Sequence, residues 1–262
     1  MRCGAVAVVW GVLAAALGGC GGQYILTVPD QLAPGGGQTA AVIRLQRNDF
    51  FVLSLPVKSA PVRFRVDDGP ERAAYSDDLG YAGAMVPAPA AAGLYTLDIA
   101  HLDKWGDEVT GKGAFYVWDP NAPAVAVDMD CLPGLLLGSA RGAAAAIGRL
   151  ATGGNVLYLT RRAARELGDA HRRLRRAGYP EGPILTWQRE NWHIVYEDRF
   201  GLRIKMPRIV VETRLVNSLP AVRQTFTGLQ AGVCDSALAA RAFERAGLKV
   251  LRLGELGAAG GQ

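Results

Sequence analysis

The sequence predicts two domains of different class, an N-terminal all-β sandwich and a C-terminal α/β domain with a parallel sheet. Short segments of alternating apolar and polar residues fill the chain up to residue 120, and continuous apolar runs alternate with helical segments after it. The length of 262 residues suits two domains, and a hydrophobic content of 50% argues against a disordered chain. A net charge of +5 without a clustered basic face does not indicate a nucleic-acid partner.

Residues 1–19 have the features of a secretory signal peptide. Arg2 supplies a positive charge, and the apolar run from Ala5 to Leu17 is too short for a permanent membrane-spanning helix. The run leads into Gly18-Gly19-Cys20, an ending that resembles the lipobox of bacterial lipoproteins. The resemblance implies cleavage before Cys20, lipidation of its thiol and a lipidated tether over residues 20–22. The alternative is an ordinary signal peptide with an incidental cysteine.

We therefore expect a membrane-anchored lipoprotein of the bacterial cell envelope, on the periplasmic or extracytoplasmic face. Its expected membrane partner is the lipid bilayer that receives the acyl chains, since acylation attaches a protein without a spanning helix. After the leader, no segment reaches 18 consecutive apolar residues.

Residues 23–120 contain about seven strand-like segments separated by turn residues, which is typical of an immunoglobulin-like β-sandwich. In the clearest segment Val62, Phe64 and Val66 share one face, which we expect to be buried, and Arg63 and Arg65 share the other. The stretch 67–99 also resembles bacterial immunoglobulin-like modules. The strands that the pattern delimits are 24–28, 40–45, 50–55, 62–66, 93–99 and 113–118.

A linker at residues 119–123 precedes the second domain, which we assign to residues 121–256. Its first strand, at 125–130, is a continuous apolar run that ends in acids, as expected for a buried parallel strand. The alternation of strands and helices predicts a doubly wound sheet, and residues 257–262 are expected to be a flexible tail. The other predicted strands are 155–160, 183–187, 229–234 and 249–253, and the predicted helices are 139–151, 161–177, 214–226 with an interruption at Pro220, and 236–246.

Polar side chains end three of these strands. Asp128 and Asp130 end the first, Thr160 ends the second, and Asp235 follows the strand at 229–234. Ligands of open parallel sheets bind beyond the carboxyl ends of the strands, so these side chains are the candidates for a site. Carboxylates and a hydroxyl at one edge suit magnesium and a phosphate group, with one aspartate able to attack phosphorus.

Residues 124–253 resemble the haloacid dehalogenase (HAD)-like superfamily, and within it the lipin-type and actin-patch-type phosphatidate phosphatase domains. An immunoglobulin-like module before such a domain fits the same resemblance. The motifs that carry it are VDMDCL at 127–132 for DxDxT, LYLTR at 157–161 for YLTxR, GYPEGPIL at 178–185 for GYPxGPLL, and GVCD at 232–235 followed by AFERAG at 242–247 for GxGD and AYxxxG.

The resemblance implies a role for each candidate residue. Asp128 is the expected nucleophile that forms an aspartyl-phosphate, and Asp130 is the expected general acid and base. Thr160, with Arg161, is expected to bind the phosphoryl group. The resemblance also implies a magnesium site formed by Asp128, Asp130 and Asp235. It further implies a catalytic basic residue, for which Arg214 is the closest by spacing and Lys205 is the alternative.

Two departures from the family pattern keep two functions open. Leu132 stands where the pattern has threonine, and the later acid of the fourth motif falls at or near Ala239. One function is a magnesium-dependent hydrolase of a phosphate monoester, which can be a lipid phosphate. The other is a non-catalytic binding or scaffolding lipoprotein, with no protein partner identified for the immunoglobulin-like domain. Cys131 and Cys234, each beside a candidate aspartate, are expected to be either a disulfide or two buried thiols.

Overall fold

The structure is a computed structural model that describes residues 23–49, 53–133, 141–162, 167–186, 189–199, 204–214 and 219–258. Within these ranges no helix has the length and apolar character needed to cross a membrane. The signal peptide, the tether and the lipidation site predicted at Cys20 lie outside the described residues.

In the described residues up to Trp118, nine strands form the N-terminal domain. They are β1 (Gln23–Thr27), β2 (Gln31–Pro34), β3 (Gln38–Asp49), β4 (Leu53–Pro56), β5 (Pro61–Val66), β6 (Arg72–Tyr75), β7 (Tyr81–Pro87), β8 (Gly93–Leu102) and β9 (Glu108–Trp118). One sheet has the order β1-β3-β4, with β7 also paired to β3, and the other has the order β2-β9-β8-β5-β6. The predicted β-sandwich is confirmed, and β2, β6 and β7 are strands that the sequence pattern did not delimit.

The alternation along β5 shows why the two sheets face each other. Val62 and Phe64 are fully buried, and they pack with Ile43 of β3 in one hydrophobic core. The intervening Arg63 lies on the outer face of the sheet, where it pairs with Glu108 of β9. A period of two therefore buries one face of the strand and leaves the charged face to solvent.

The C-terminal domain contains the remaining strands and the helices. The strands are β10 (Ala124–Asp128), β11 (Asn155–Thr160), β12 (Ile184–Thr186), β13 (Arg189–Arg199), β14 (Ile204–Arg214), β15 (Leu229–Cys234) and β16 (Lys249–Arg252). The helices are α1 (Arg141–Leu150), α2 (Ala170–Arg176), α3 (Leu219–Thr225), α4 (Ala237–Arg245) and α5 (Leu253–Ala258). Five strands form a parallel sheet in the order β12-β11-β10-β15-β16, which confirms the parallel sheet and places β10 at its centre.

Two predicted helices and the predicted start of the tail differ most from the structure. In the described part of the helix predicted at 161–177, α2 is the helical segment, and Gly168 and Asp169, both poor helix formers, directly precede it. In the described part of the helix predicted at 214–226, α3 is the helical segment, and Pro220 lies in its first turn, where a missing N–H costs no hydrogen bond. Helix α5 continues to Ala258, two residues past the boundary predicted for the flexible tail.

A two-stranded antiparallel hairpin, β13 and β14, interrupts the α/β pattern between β12 and α3, and the sequence analysis did not predict it. Arg189 pairs with Arg214 at its base, and Arg199 pairs with Ile204 at its far end. Arg214 is therefore on a strand, and the prediction that it opens a helix is wrong. The β-branched run at 209–211 favours an extended chain, which explains why the strand persists to this point.

The two domains share a packed junction. Tyr116 and Trp118 at the end of β9 belong to the same hydrophobic cluster as Leu157 of the α/β sheet. The ring of Trp118 meets that of Phe226 edge to face at a centroid distance of 5.9 Å. A polar contact adds to this junction, because the carboxylate of Asp30 accepts hydrogen bonds from two groups of the second domain, the His171 ring and the Ile184 N–H, each at 2.7 Å.

This polar contact predicts a pH-dependent stability of the junction. The hydrogen bond with Asp30 raises the pKa of His171 above its usual value of about 6.5, despite partial burial that lowers it. A raised pKa in the folded state gives stability that is complete below about pH 6.5 and is lost as the pH rises through the folded value. Denaturant unfolding from pH 5 to 9 should show this loss for the wild type.

His171→Gln cannot be protonated, so its unfolding midpoint is expected to lack this part of the pH dependence. Asp30→Asn is the matched partner variant and is expected to reduce the same pH dependence, because it removes the carboxylate that favours the imidazolium. An identical pH profile for the wild type and both variants would contradict the assignment.

Candidate functional site

The carboxyl ends of three adjacent strands meet in the middle of the parallel sheet. Asp128 ends β10, Thr160 ends the neighbouring β11, and Asp235 directly follows β15 on the other side. From β10 the chain runs outward to β12 and then returns to β15 on the opposite side, so the strand order reverses here. Such a reversal opens a crevice beyond the strand ends, where ligands of open sheets bind.

Asp130 is the centre of the hydrogen-bonding network at this crevice. It lies in a 3-10 turn, Met129–Cys131, whose cap is Asp128: one Asp128 oxygen accepts the Asp130 N–H at 3.2 Å. One Asp130 oxygen accepts the Thr160 hydroxyl at 2.7 Å, and the other accepts the Arg161 backbone N–H at 2.9 Å and its Nε at 3.1 Å. The structure therefore brings Asp128, Asp130, Thr160 and Arg161 together, as the sequence predicts.

Arg162 and Ser236 also belong to the network, and the sequence analysis did not select either. The Nε of Arg162 lies 3.6 Å from Asp130, and its backbone N–H donates to the Thr160 hydroxyl at 3.2 Å. The Ser236 hydroxyl donates to Asp128 at 3.3 Å. Arg162 occupies the final arginine position of the YLTxR pattern, which is the signal that could have identified it. Ser236 carries no such signal.

The environments of the two aspartates push their pKa values apart. Burial raises the pKa of Asp128, the charge of Asp130 raises it further, and Arg161 opposes both. Burial acts to raise the pKa of Asp130 as well, but hydrogen bonds from Thr160 and Arg161 outweigh it and hold that pKa below its usual range. Asp130 is thus the more acidic group, whereas the roles implied by resemblance make Asp128 the ionised nucleophile and Asp130 the proton carrier.

Asp235 is exposed, and its carboxylate has a partner outside the pair. Its carboxylate accepts the N–H of Leu253, the first residue of α5, at 3.0 Å, and its carbonyl accepts a hydrogen bond from Arg252 at 3.1 Å. This contact fixes the start of α5 against the end of β15. The side chain predicted to be a magnesium ligand therefore has a structural partner.

The two cysteines are thiols in this structure. Cys131 and Cys234 are free, and the Cys131 thiol donates to the Asp128 carbonyl at 3.0 Å. Burial, with the nearby charge of Asp128, raises the pKa of Cys131 to about 12, so its thiolate is not populated at neutral pH. Of the two alternatives, the structure shows free thiols, of which Cys234 is buried and Cys131 is half-buried.

The two residues that depart from the family pattern are part of the hydrophobic core. Leu132 is 6% exposed and packs with Val127 and Tyr158, and Ala239 is 1% exposed and packs with Phe243. Both positions therefore contribute apolar packing where the family pattern has a hydroxyl or a carboxylate.

The candidate basic residues lie at opposite ends of the hairpin. Arg214 pairs with Arg189 at the base of the hairpin, and Arg189 follows the carboxyl end of β12 in the chain. Lys205 pairs with Asp198 near the far end. Arg214 is nine positions further along the strand than Lys205, so at about 3.4 Å per residue the two lie roughly 30 Å apart. The backbone therefore favours Arg214 over Lys205 as the residue nearer the sheet edge.

Magnesium, the cofactor that the resemblance implies, does not fit the arrangement described. Arg161 contacts both aspartates of the pair, with Nη2 at 3.8 Å from Asp128 and Nε at 3.1 Å from Asp130, and Asp235 is bound to α5. Both oxygens of Asp128 and of Asp130, which a hard cation would need as ligands, thus already have hydrogen-bond donors. In the part of the chain that the structure describes, no group of three or more His, Cys, Asp or Glu side chains is placed to hold a metal ion.

No protein-family model matches this chain, and no curated protein matches it. Parts of it are similar to solved structures. A carbohydrate acetylesterase from Xanthomonas citri has 19% identity and a TM-score of 0.27, over 46% of this chain and 25% of that one. Tandem immunoglobulin repeats of Dlar have 10% identity and a TM-score of 0.27, over 40% of this chain and 58% of that one.

An immunoglobulin complex of titin M10 with obscurin-like 1 has 20% identity and a TM-score of 0.25, over 39% of this chain and all of that one. The chain thus spans a quarter of the length of the acetylesterase and little more than half of the tandem repeats. It is mostly β, with immunoglobulin-like structural neighbours and a separate parallel sheet.

Proposed function

We propose that the α/β domain binds a phosphate monoester at the carboxyl edge of its sheet. The observation that carries this proposal is the convergence of the Arg161 and Arg162 guanidinium groups on the end of β11, beside the Thr160 hydroxyl. Both arginine side chains are about a third exposed, at 36% and 34%. Guanidinium groups match phosphate oxygens in shape and charge, so two adjacent ones suit a dianionic phosphate.

We further propose that this domain belongs to the HAD-like class. Support comes from the central strand, which carries Asp128 and Asp130 at its end, and from Thr160 at the end of the next strand. The strand order β12-β11-β10-β15-β16 puts the fourth motif directly beside the first. The resemblance remains the source of the family assignment.

A calorimetric titration of the full chain with phenyl phosphate, in detergent and without metal, tests the binding function. We expect saturable binding that inorganic phosphate competes away, because both ligands present the same phosphate oxygens to the two guanidinium groups. Phenyl phosphate that gives no saturable heat with a folded protein would contradict the proposal.

Membrane anchoring through Cys20 is the second part of the proposed function. The apolar leader that ends in Gly-Gly-Cys supports it, and a tethered domain would meet lipid phosphates at the membrane surface. The full chain, expressed in a bacterium, is expected to enter the detergent phase of a phase-separation experiment, and Cys20→Ser to lose this behaviour. Equal partitioning of both proteins would contradict lipidation at this residue.

Hydrolysis of the bound monoester is a second candidate function, and the aspartate pair favours it. In that reaction a carboxylate oxygen of Asp128 would attack phosphorus and displace the alcohol, which would take a proton from Asp130. Water would then hydrolyse the aspartyl-phosphate, which releases inorganic phosphate and restores the Asp128 carboxylate. The described state favours binding over hydrolysis, since the Asp128 side chain is only 1% exposed and burial raises its pKa. Phosphate release from phosphatidate or an aryl phosphate that disappears in Asp128→Asn would establish the hydrolase.

A further inference from the structure

We infer that Arg161 is the built-in cation of the Asp128–Asp130 pair and keeps magnesium out of this site. The ligand of this site is then a phosphate group held by guanidinium groups instead of by a metal. This consequence rests on the proposed phosphate-binding function.

Every oxygen of the pair has a donor. In Asp128 one oxygen accepts the Asp130 N–H, and the other accepts from Ser236 and faces Arg161. In Asp130 one oxygen accepts from Thr160, and the other accepts both the backbone and the side chain of Arg161. A divalent cation would have to displace at least the Arg161 side chain before it reached either carboxylate.

The charges in the network are already balanced. Two carboxylates, Asp128 and Asp130, face two guanidinium groups, Arg161 and Arg162. A magnesium ion would add two positive charges to this balanced group, and it would leave Arg161 beside the ion or expel it. Removing one partner from a buried ion pair is costly, and magnesium gives up its own water reluctantly.

Exposure sets which group a ligand meets first. The Arg161 side chain is 36% exposed, whereas Asp128 is 1% and Asp130 13% exposed. A ligand that approaches this pair from solvent therefore meets the Arg161 guanidinium group before it meets Asp128 or Asp130. This order attracts an anion and repels a cation.

Magnesium binding itself provides the test. We expect calorimetric titration of the wild-type full chain with magnesium chloride to show no saturable binding at millimolar concentrations. Arg161→Met is expected to gain saturable binding, with an affinity at least about tenfold higher, because the carboxylates lose their internal cation. Asp128→Asn added to Arg161→Met should remove the gained site. Arg176→Met, an exposed arginine on α2, is the matched control and should behave like the wild type.

Saturable magnesium binding by the wild type that Asp128→Asn abolishes would overturn the inference. So would a folded Arg161→Met protein, checked by circular dichroism, that still binds no magnesium. Arg161→Gln serves as the second variant if the methionine protein does not fold. Titration with inorganic phosphate in the absence of magnesium tests the proposed function separately, so the two ideas can fail independently.

Discussion

Replacing Phe243 with alanine is expected to lower the free energy of unfolding by about 3–5 kcal/mol. Phe243 is fully buried in α4, in the same cluster as Leu157 and Leu229 of the parallel sheet. Gly232 on β15 makes room for its ring, since a Cβ there would lie 2.4 Å from a ring atom. Because residue 232 is a glycine, α4 packs close against β15. Shortening the Phe243 side chain would therefore leave a cavity, since the helix has little room to move closer to the strand.

Leu238→Ala on the same helix is the control, because Leu238 is 58% exposed. Its effect is expected to stay within about 0.5 kcal/mol. Urea unfolding followed by circular dichroism measures both variants. Equal losses of unfolding free energy for Phe243→Ala and Leu238→Ala would contradict the packing described for α4. They would also contradict the position of Ser236, which caps this helix and contacts Asp128.

Loss of phosphate affinity in the double variant Arg161→Met with Arg162→Met is the second large effect that we expect. Each guanidinium group makes charge-assisted hydrogen bonds to a bound phosphate, and each such group contributes about tenfold to a hundredfold in affinity. The two losses need not add, because both arginines contact Asp130. Calorimetric titration with phenyl phosphate measures the change.

Two controls separate recognition from folding in that experiment. Arg176→Met removes a positive charge from the same domain at an exposed position of α2 and should leave the affinity within about twofold, since exposed charges far from a ligand are screened by salt. Circular dichroism of the double variant shows whether the domain remains folded. A folded double variant that keeps wild-type affinity would place the phosphate site elsewhere.

The sequence predicted the parts of this molecule that local patterns determine. The period of two in β5 and the apolar run of β10 each indicated a strand, and the acids after β10 indicated the candidate site. The parallel sheet then brought Asp130 and Thr160 together, because strands that neighbour in sequence commonly neighbour in such a sheet.

Contacts between distant parts of the chain could not be predicted from these local patterns. Asp30 and His171 lie 141 residues apart, and no local pattern links them. The pairing of Arg161 with both aspartates also depends on the tertiary position of β11. The motif predicted that Arg161 binds the phosphoryl group, but it did not predict this pairing. The hairpin of β13 and β14 was missed because an insertion breaks the alternation of strand and helix on which the prediction relied.

The central claim is that the carboxyl edge of the parallel sheet recognises a phosphate monoester through Arg161 and Arg162. Phosphorus NMR of phenyl phosphate mixed with the full chain tests it most directly, because the ligand itself is observed. The account predicts a resonance that broadens or shifts with the wild type and stays sharp with the double variant. Growth of an inorganic phosphate resonance would identify the hydrolase as well. A resonance equally sharp with both folded proteins would contradict the account.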